Sequence, residues 1–440
     1  MMNHKMRLTI VCALIGIFTL THAQESATTM RLTLDKAIEL ALSENPTIKV
    51  AEKEIELKKV AKNEAWMSLL PTASLTGSIN YTIKAAEMNF NGQAITMGKD
   101  DASTWNGALQ VSLPIFAPAI YKTMSLTKAD VELAAEKSRG SKIDMVNQVT
   151  KAYYQLLLAQ DSYEVLMQNY KLAEDNFNIV NAKFQQGSVS EYDKISAEVQ
   201  KSNAWPSVIS GRNAVEIAKL QLKVLMGITA EVDIIIDDNL KNYETAMNKD
   251  AAKEAVTLDN NSTLKAIDLQ AKLLKKQRSI LKTNFMPTLA LSGSLQYQSQ
   301  YNEDWKVLDY KWSNSSSVAL SLTIPLFQAS NFTKMKSNKI QQWQLAETRA
   351  NTERMLGMQA QSYLDNMTKS AEQLESNKTA VELARKGLEI SQKRYDVGRG
   401  TILELTNSQV SLTNVQLTYN NTIYDYLIAK SELNTVLGKE

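Results

Sequence analysis

Asn45–Tyr81 aligns without a gap onto Asn261–Tyr297, 216 residues further along the chain. Identities at Asn45/Asn261, Lys49/Lys265, Leu57/Leu273, Pro71/Pro287, Gly77/Gly293 and Tyr81/Tyr297 span the match. Beyond it the offset falls to 211, where Pro114 meets Pro325, Phe116 meets Phe327, Gly187 meets Gly398, and Leu225-Met226-Gly227 meets Val436-Leu437-Gly438. A period this long makes each copy one supersecondary unit, which buries its apolar faces against its neighbour. The organisation expected is a first copy over 24–230, a linking segment over 231–260 with a short strand at Val232–Asp238, and a second copy over 261–440. The five additional residues of the first copy fall between Tyr81 and Pro114 and read as a longer loop.

Each copy has the same predicted order of elements. A helix from Pro46 to about Leu70 stops at Pro71; strands follow at 72–82 and 105–116. A helix then runs from Pro118, a residue suited to a first turn, to about Gln185. At about 1.5 Å per residue this is a rod of about 100 Å, too long for a globular core. A glycine-containing tip and a return helix ending near Gly227 complete the copy; the second copy places its strands at 288–301 and 314–327. Leu156, Tyr163, Tyr170, Phe177 and Phe184 recur every seven residues, as do Met367, Leu374, Val381, Leu388 and Tyr395. The last helix carries two adjacent stripes, Leu405/Leu412/Tyr419/Tyr426 and Leu403/Val410/Leu417/Tyr424, so it packs on two partners at once. Asn203-Ala204-Trp205-Pro206 is expected to break and kink the return helix of the first copy.

Composition excludes whole classes of chemistry. The chain has 49 Lys and Arg, 47 Asp and Glu, two His and one Cys among 440 residues. His4, Cys12 and His22 all fall in a stretch that reads as a secretory signal over 1–23: Lys5 and Arg7, an apolar run Leu8–Leu20, and Thr21-His22-Ala23 at the cleavage site. Removing it leaves 47 basic and 47 acidic side chains and no His or Cys. Ser-His-Asp and Cys-His catalysis, His or thiolate metal sites and disulfides are thereby excluded, and zero net charge disfavours nucleic acid. Paired carboxylates such as Asp100-Asp101 and Asp237-Asp238 are adjacent in the chain and do not face each other across a substrate. Scattered methionines such as Met88, Met97, Met145 and Met167 suggest no copper path. No enzyme, cofactor or metal is expected.

The strand segments alternate with period two. Leu75, Gly77, Ile79 and Tyr81 oppose Ser74, Thr76, Ser78 and Asn80; Leu109, Val111, Leu113 and Ile115 alternate in the return strand. The second copy repeats this with Leu291, Leu295 and Tyr297, then Val318, Leu320, Leu322 and Ile324. Segments of this kind suit a membrane barrel, apolar toward lipid and polar toward the lumen, and also a soluble sheet with one buried face. Tyr81, Trp105, Tyr297, Tyr301, Trp305 and Trp312 cluster near strand ends, where an aromatic girdle sits. Four strands close no barrel, and lipid forbids open edges. The chain must therefore assemble with copies of itself, two giving eight strands and three giving twelve. A coiled-coil or adhesin-like surface protein with a soluble sheet is the alternative.

The pattern resembles the TolC-like outer-membrane efflux protein family over essentially the whole exported chain. The resemblance rests on Leu32-Thr33-Leu34-Asp35-Lys36-Ala37-Ile38-Glu39-Leu40-Ala41-Leu42 through Asn45-Pro46, on Leu70-Pro71, on Leu113-Pro114-Ile115-Phe116, and on the tip from Arg394 to Thr401. It implies a mainly α protein with membrane β: a tandem-repeat protomer of long coiled-coil helices plus four strands. Three such protomers form a 12-stranded outer-membrane β-barrel continuous with a periplasmic α-helical barrel. It implies an exit duct of tripartite efflux pumps or type I secretion systems in a Gram-negative outer membrane. The implied partners are a periplasmic adaptor (membrane fusion protein) and an inner-membrane transporter of RND, ABC or MFS type. At the periplasmic aperture the family's Tyr and Asp match Tyr395 and Asp193; the family's Arg position holds Gly400, with Arg399 one residue earlier. Two family carboxylate rings match Glu404 and Asn407, so one keeps its charge. Adaptor docking falls on Gly187-Ser188-Val189-Ser190 and Gly398-Arg399-Gly400-Thr401.

Overall fold

The computed structural model describes residues 30–90, 93–247 and 257–439; the signal segment 1–23 lies outside them. In chain order the elements are β1 (Met30–Arg31), α1 (Leu34–Glu44), α2 (Pro46–Met67), β2 (Thr72–Thr82), β3 (Ala86–Phe90), β4 (Gln93–Met97) and β5 (Ala102–Phe116). The long helix α3 (Pro118–Gln185) and its return helix α4 (Glu191–Met226) complete the first copy. Strand β6 (Ile234–Ile235) and a 3-10 helix (Leu240–Ala246) lie in the link. The second copy has α5 (Ser262–Thr283), β7 (Thr288–Asn302), a 3-10 turn (Val307–Asp309), β8 (Ser313–Thr323), α6 (Ala329–Asp396) and α7 (Ile402–Val436). The helix predicted from Pro118 to Gln185 forms over those bounds, and its equivalent α6 has the same 68 residues.

Four local expectations are corrected. The first helix ends at Met67 rather than Leu70, closing in a turn before β2. The last strand ends at Thr323 rather than at 327, because its neighbour β7 begins at Thr288, the partner of Thr323, and leaves nothing to pair beyond. The longer loop of the first copy contains a hairpin, β3 paired antiparallel with β4. The expected break at Pro206 does not occur: α4 is one helix of 36 residues. A proline removes one intrahelical hydrogen bond, but here Trp205 packs on Tyr170 at 4.9 Å and Ala204, Val208 and Gly211 are buried around it. Tertiary packing outweighs the local defect.

Among the described residues the chain divides into two compact units, one of 30–45, 145–247 and 363–432, the other of 46–144, 257–362 and 433–439. The second unit holds the main sheet, in order β2-β5-β7-β8, antiparallel throughout. It also holds the close of the second copy: Asn261 caps α5 by accepting from the Leu264 N–H at 3.0 Å, while its amide donates to the Val436 carbonyl at the end of α7 at 2.8 Å. The first unit contains the equivalent buckle, with the Asn45 amide donating to the Leu225 carbonyl at 2.8 Å. Each return helix then ends at a left-handed glycine, Gly227 at φ 68° and Gly438 at φ 67°. Both need that residue twice over, since a Cβ at Gly227 would lie 2.9 Å from the Glu44 carbonyl oxygen and one at Gly438 against that of Asn260.

In the first unit the linking segment is stitched to helices of both copies. β6 pairs in parallel with β1; of the short strand expected at 232–238 only Ile234–Ile235 forms. The Asp161 carboxylate of α3 accepts from the Leu240 N–H at 2.9 Å; Tyr243 donates to Asp238 at 2.6 Å and packs edge-on against Tyr154. At the other end of the same 3-10 helix Glu244 accepts from Lys378 of α6 at 2.6 Å and Tyr419 of α7 at 2.7 Å. Burial pushes Asp161 up to about 6, partly offset by the Leu240 N–H, with Glu164 and Asp238 adding to the rise. A raised carboxyl contributes stability that is complete below its unfolded value and lost as pH rises through the folded one. Asp161→Asn, which keeps an acceptor without the buried charge, is expected to raise the melting temperature near about pH 7 and to leave it unchanged near about pH 4. Thermal unfolding followed by circular dichroism at the two pH values checks this.

Candidate functional site

Two sites emerge, one on the sheet and one at the helix tips. The pairing register sets the first. Leu75 opposes Leu109, which opposes Leu295; Val111 opposes Gly293, which opposes Val318; Leu113 opposes Leu291, which opposes Leu320. Directly opposed residues share a face, so Leu75, Ile79, Tyr81, Leu109, Val111, Leu291, Leu295, Tyr297, Leu320 and Leu322 all fall on one side. The other side carries Ser74, Thr76, Ser78, Gln110, Ser294, Gln296 and Ser317, with Ser294 bonded to Ser317 at 2.9 Å. The apolar side is uncovered: Leu75 is 80% exposed and Val318 79%. Among the described residues β2 and β8 each pair on one edge alone. Trp105 packs edge-on against Trp305 at 6.0 Å and Tyr310 at 5.9 Å, and Tyr310 in turn meets Trp312 at 6.5 Å, which joins three of the six aromatics named from the sequence.

The tips are built from short-range chemistry. Gly187 and Gly398 adopt φ 69° and 73° and close the first helix of each hairpin with paired bonds, Ser188 N–H to the Lys183 carbonyl and Arg399 N–H to the Arg394 carbonyl. Nothing would meet a Cβ at either position, so conformation alone selects glycine there. Ser190 and Thr401, equivalent in the repeat, then cap α4 and α7. Gly187, Ser188, Ser190, Gly398, Arg399 and Thr401 are exposed. Val189 differs: its side chain packs against an apolar cluster of Val180, Ala197, Tyr395, Ile402 and Leu405.

Of the residues the resemblance matches to an aperture, the structure brings Tyr395 and Asp193 near each other without a hydrogen bond between them. The Tyr395 hydroxyl is buried and makes no hydrogen bond among the described residues; burial, then the nearby Asp193 and Asp396, push its pKa up. The Asp193 carboxylate instead accepts from the Ser190 hydroxyl at 2.9 Å and the Ser190 N–H at 3.3 Å, completing a capping box. At Gly400 a Cβ would lie 3.1 Å from the Arg394 Cβ and the Tyr395 nitrogen. This close approach leaves little room for a side chain there and favours glycine. The guanidinium that serves this tip belongs to Arg394, 3.6 Å from Glu404 and bonded to the Arg399 carbonyl at 3.2 Å. Sequence reading missed Arg394, although at the 211 offset it is equivalent to Lys183, which pairs with Asp396 at 3.6 Å and lies over the Tyr395 ring. Asn407 is exposed.

Two 68-residue helices with return helices, and a sheet with one apolar face and two unpaired edges among the described residues, are the elements expected of an outer-membrane duct. Comparisons with known proteins agree. The family model for outer membrane efflux proteins matches residues 37–228 and 255–439. The chain belongs to the outer membrane efflux protein family. It is an outer-membrane protein projecting into the periplasm and an exit duct for efflux or secretion. Outer membrane protein TolC of Escherichia coli is 22% identical over 416 residues, covering 90% of this chain and 80% of that protein. Nodulation protein T of Rhizobium leguminosarum is 19% identical over 409 residues, covering 92% and 85%. The solved structure of the Campylobacter jejuni CmeC outer membrane channel superposes with a TM-score of 0.72 at 18% identity, covering 92% of this chain and 85% of that one.

Proposed function

We propose that three copies of this chain assemble into a passive conduit, each supplying four strands to a twelve-stranded barrel in lipid and two helical hairpins to a periplasmic tunnel. The carrying observation is the sheet: one uncovered apolar face, one polar face and two unpaired edges, which only sister copies of like geometry complete. Exposed apolar residues on the helices, Ile195 and Val199 of α4 and Leu403 and Val410 of α7, are the seam that faces a neighbour. The tips Gly187–Ser190 and Gly398–Thr401 dock a periplasmic adaptor, and the adaptor joins an inner-membrane transporter that supplies energy. At the aperture Tyr395 and Asp193, near each other but unbonded within the single chain, pair in the closed assembly, with Glu404, held by Arg394, as the charged ring beside Asn407. The duct itself carries out no chemistry.

Reconstitution tests the reading. Purified protein in a planar bilayer is expected to give discrete conductance steps. Tyr395→Phe combined with Asp193→Asn, which preserves the helix cap, is expected to raise the conductance of each step. Protein that inserts but passes no current overturns the conduit, whereas unchanged steps in the double variant remove only the aperture assignment. A photocrosslinker at position 188 or 399 then captures the adaptor.

A further inference from the structure

The last stretch of α5 and the first of α6 are entirely without acidic side chains. After Asp268, α5 carries Lys272, Lys275, Lys276, Arg278 and Lys282; α6 carries Lys334, Lys336 and Lys339 before its first carboxylate, Glu347. The exported chain is neutral, so this is a local concentration of charge. The structure brings the two stretches side by side: the Asn338 amide donates to the Leu274 carbonyl at 3.1 Å, the Asn284 amide donates to Asn331 at 3.1 Å, and the Phe285 ring packs at a tilt against Phe332 at 5.3 Å. Lys275, Lys282, Lys334, Lys336 and Lys339 are exposed and form no ion pair among the described residues. The equivalent part of the first copy is balanced: Lys58 pairs with Glu54, and Asp130 and Glu132 follow Lys128. Between the lysines and the sheet lie exposed apolar groups, Leu326, Phe327 and Phe332, the two rings 6.2 Å apart.

Aromatic rings at the edge of an apolar face, with cations just beyond, match the profile of a bilayer from its hydrocarbon boundary to its headgroups. We infer that this collar binds the phosphate headgroups of anionic phospholipids in the leaflet facing the periplasm. The inference rests on the lipid-facing reading of the sheet. It adds that the second copy contacts the lipid by charge as well as by apolar area. Each cation at such a surface is worth about five-fold in affinity for anionic lipid, and salt screens the effect.

The test reconstitutes the full-length protein from detergent into vesicles of phosphatidylcholine mixed with phosphatidylglycerol, re-extracts it, and quantifies the lipid retained on it. Retained phosphatidylglycerol is expected to exceed its share of the vesicle, to fall toward that share in high salt, and to persist in inorganic phosphate at low ionic strength. A variant carrying Lys275→Gln, Lys282→Gln, Lys334→Gln and Lys339→Gln is expected to lose the excess by more than about ten-fold. A variant of equal charge change at Lys171, Lys369, Lys386 and Lys430 is expected to keep it. Equal retention of both lipids by the unaltered protein overturns the inference without any variant, as does an undiminished excess in the first variant. Failure to enter vesicles of either composition counts against the conduit itself.

Discussion

Leu291→Arg is expected to abolish assembly of the protein in membranes. Leu291 lies in an interior strand, opposed on one side by Leu113 and on the other by Leu320. An arginine there replaces the middle of an uncovered apolar row with a cation. On the lipid face of a barrel an arginine costs about 2–4 kcal/mol at the midplane and less toward the interfaces, and in a homo-oligomer every copy incurs it. Ser292→Arg, one residue along on the polar face, is the matched control and is expected to assemble, because the lumen hydrates the charge. Trimer yield in detergent-extracted membranes, judged by crosslinking and gel mobility, separates the two. Normal yield of the Leu291 variant would place that face in contact with something other than lipid.

Asn261→Ala is expected to destabilise the second copy by about 2–4 kcal/mol. The side chain is buried and does two tasks, accepting from the Leu264 N–H and donating to the Val436 carbonyl. Loss of a cap costs about 0.5–2 kcal/mol, and a buried carbonyl left without its donor about 1–3. Asn261→Asp separates the contributions, for a carboxylate still caps α5 but presents an acceptor to an acceptor at Val436. If the buckle matters, the aspartate variant unfolds almost as early as the alanine variant in chemical denaturation of the detergent-solubilised protein. If only the cap matters, it retains most of the native stability.

How much of this was legible beforehand depended on the range of the interaction. The duplication was visible because both copies reuse the same punctuation: Asn45/Asn261 at the buckles, Gly187/Gly398 at the tips, Gly227/Gly438 at the ends. Each sits where a helix begins or ends, so local backbone geometry already selects the residue type, although Asn45, Asn261, Gly227 and Gly438 also meet partners far along the chain. Period-two alternation likewise placed Leu75, Ile79, Leu109, Val111, Leu291, Leu295, Leu320 and Leu322 on one face, since side-chain direction in a strand follows from parity, whereas Ile115 falls at a register shift and Ile324 lies past the end of β8. What escaped depended on partners distant in sequence. The end of β8 at Thr323 is set by where β7 begins, and the continuity of α4 through Pro206 by Tyr170. Arg394 rather than Arg399 lies at Glu404 because the chain turns back at the tip and brings the end of α6 beside the start of α7. The hairpin in the first copy escaped because its segment, Ala86–Met97, looked like an insertion rather than an element.

That hairpin explains a detail of the arithmetic. Five is an odd number of residues, and a strand that gains an odd number turns its outside in. Leu75 faces Leu109, both odd-numbered, whereas the equivalent pair in the second copy is Leu291 and Leu320, odd with even. The parity of the numbering has flipped while the faces have not. Length can therefore vary at the hairpin without turning a face over, whereas an odd step within a strand needs a bulge to absorb it, as between Ser103 and Trp105 opposite Asn302 and Ser299.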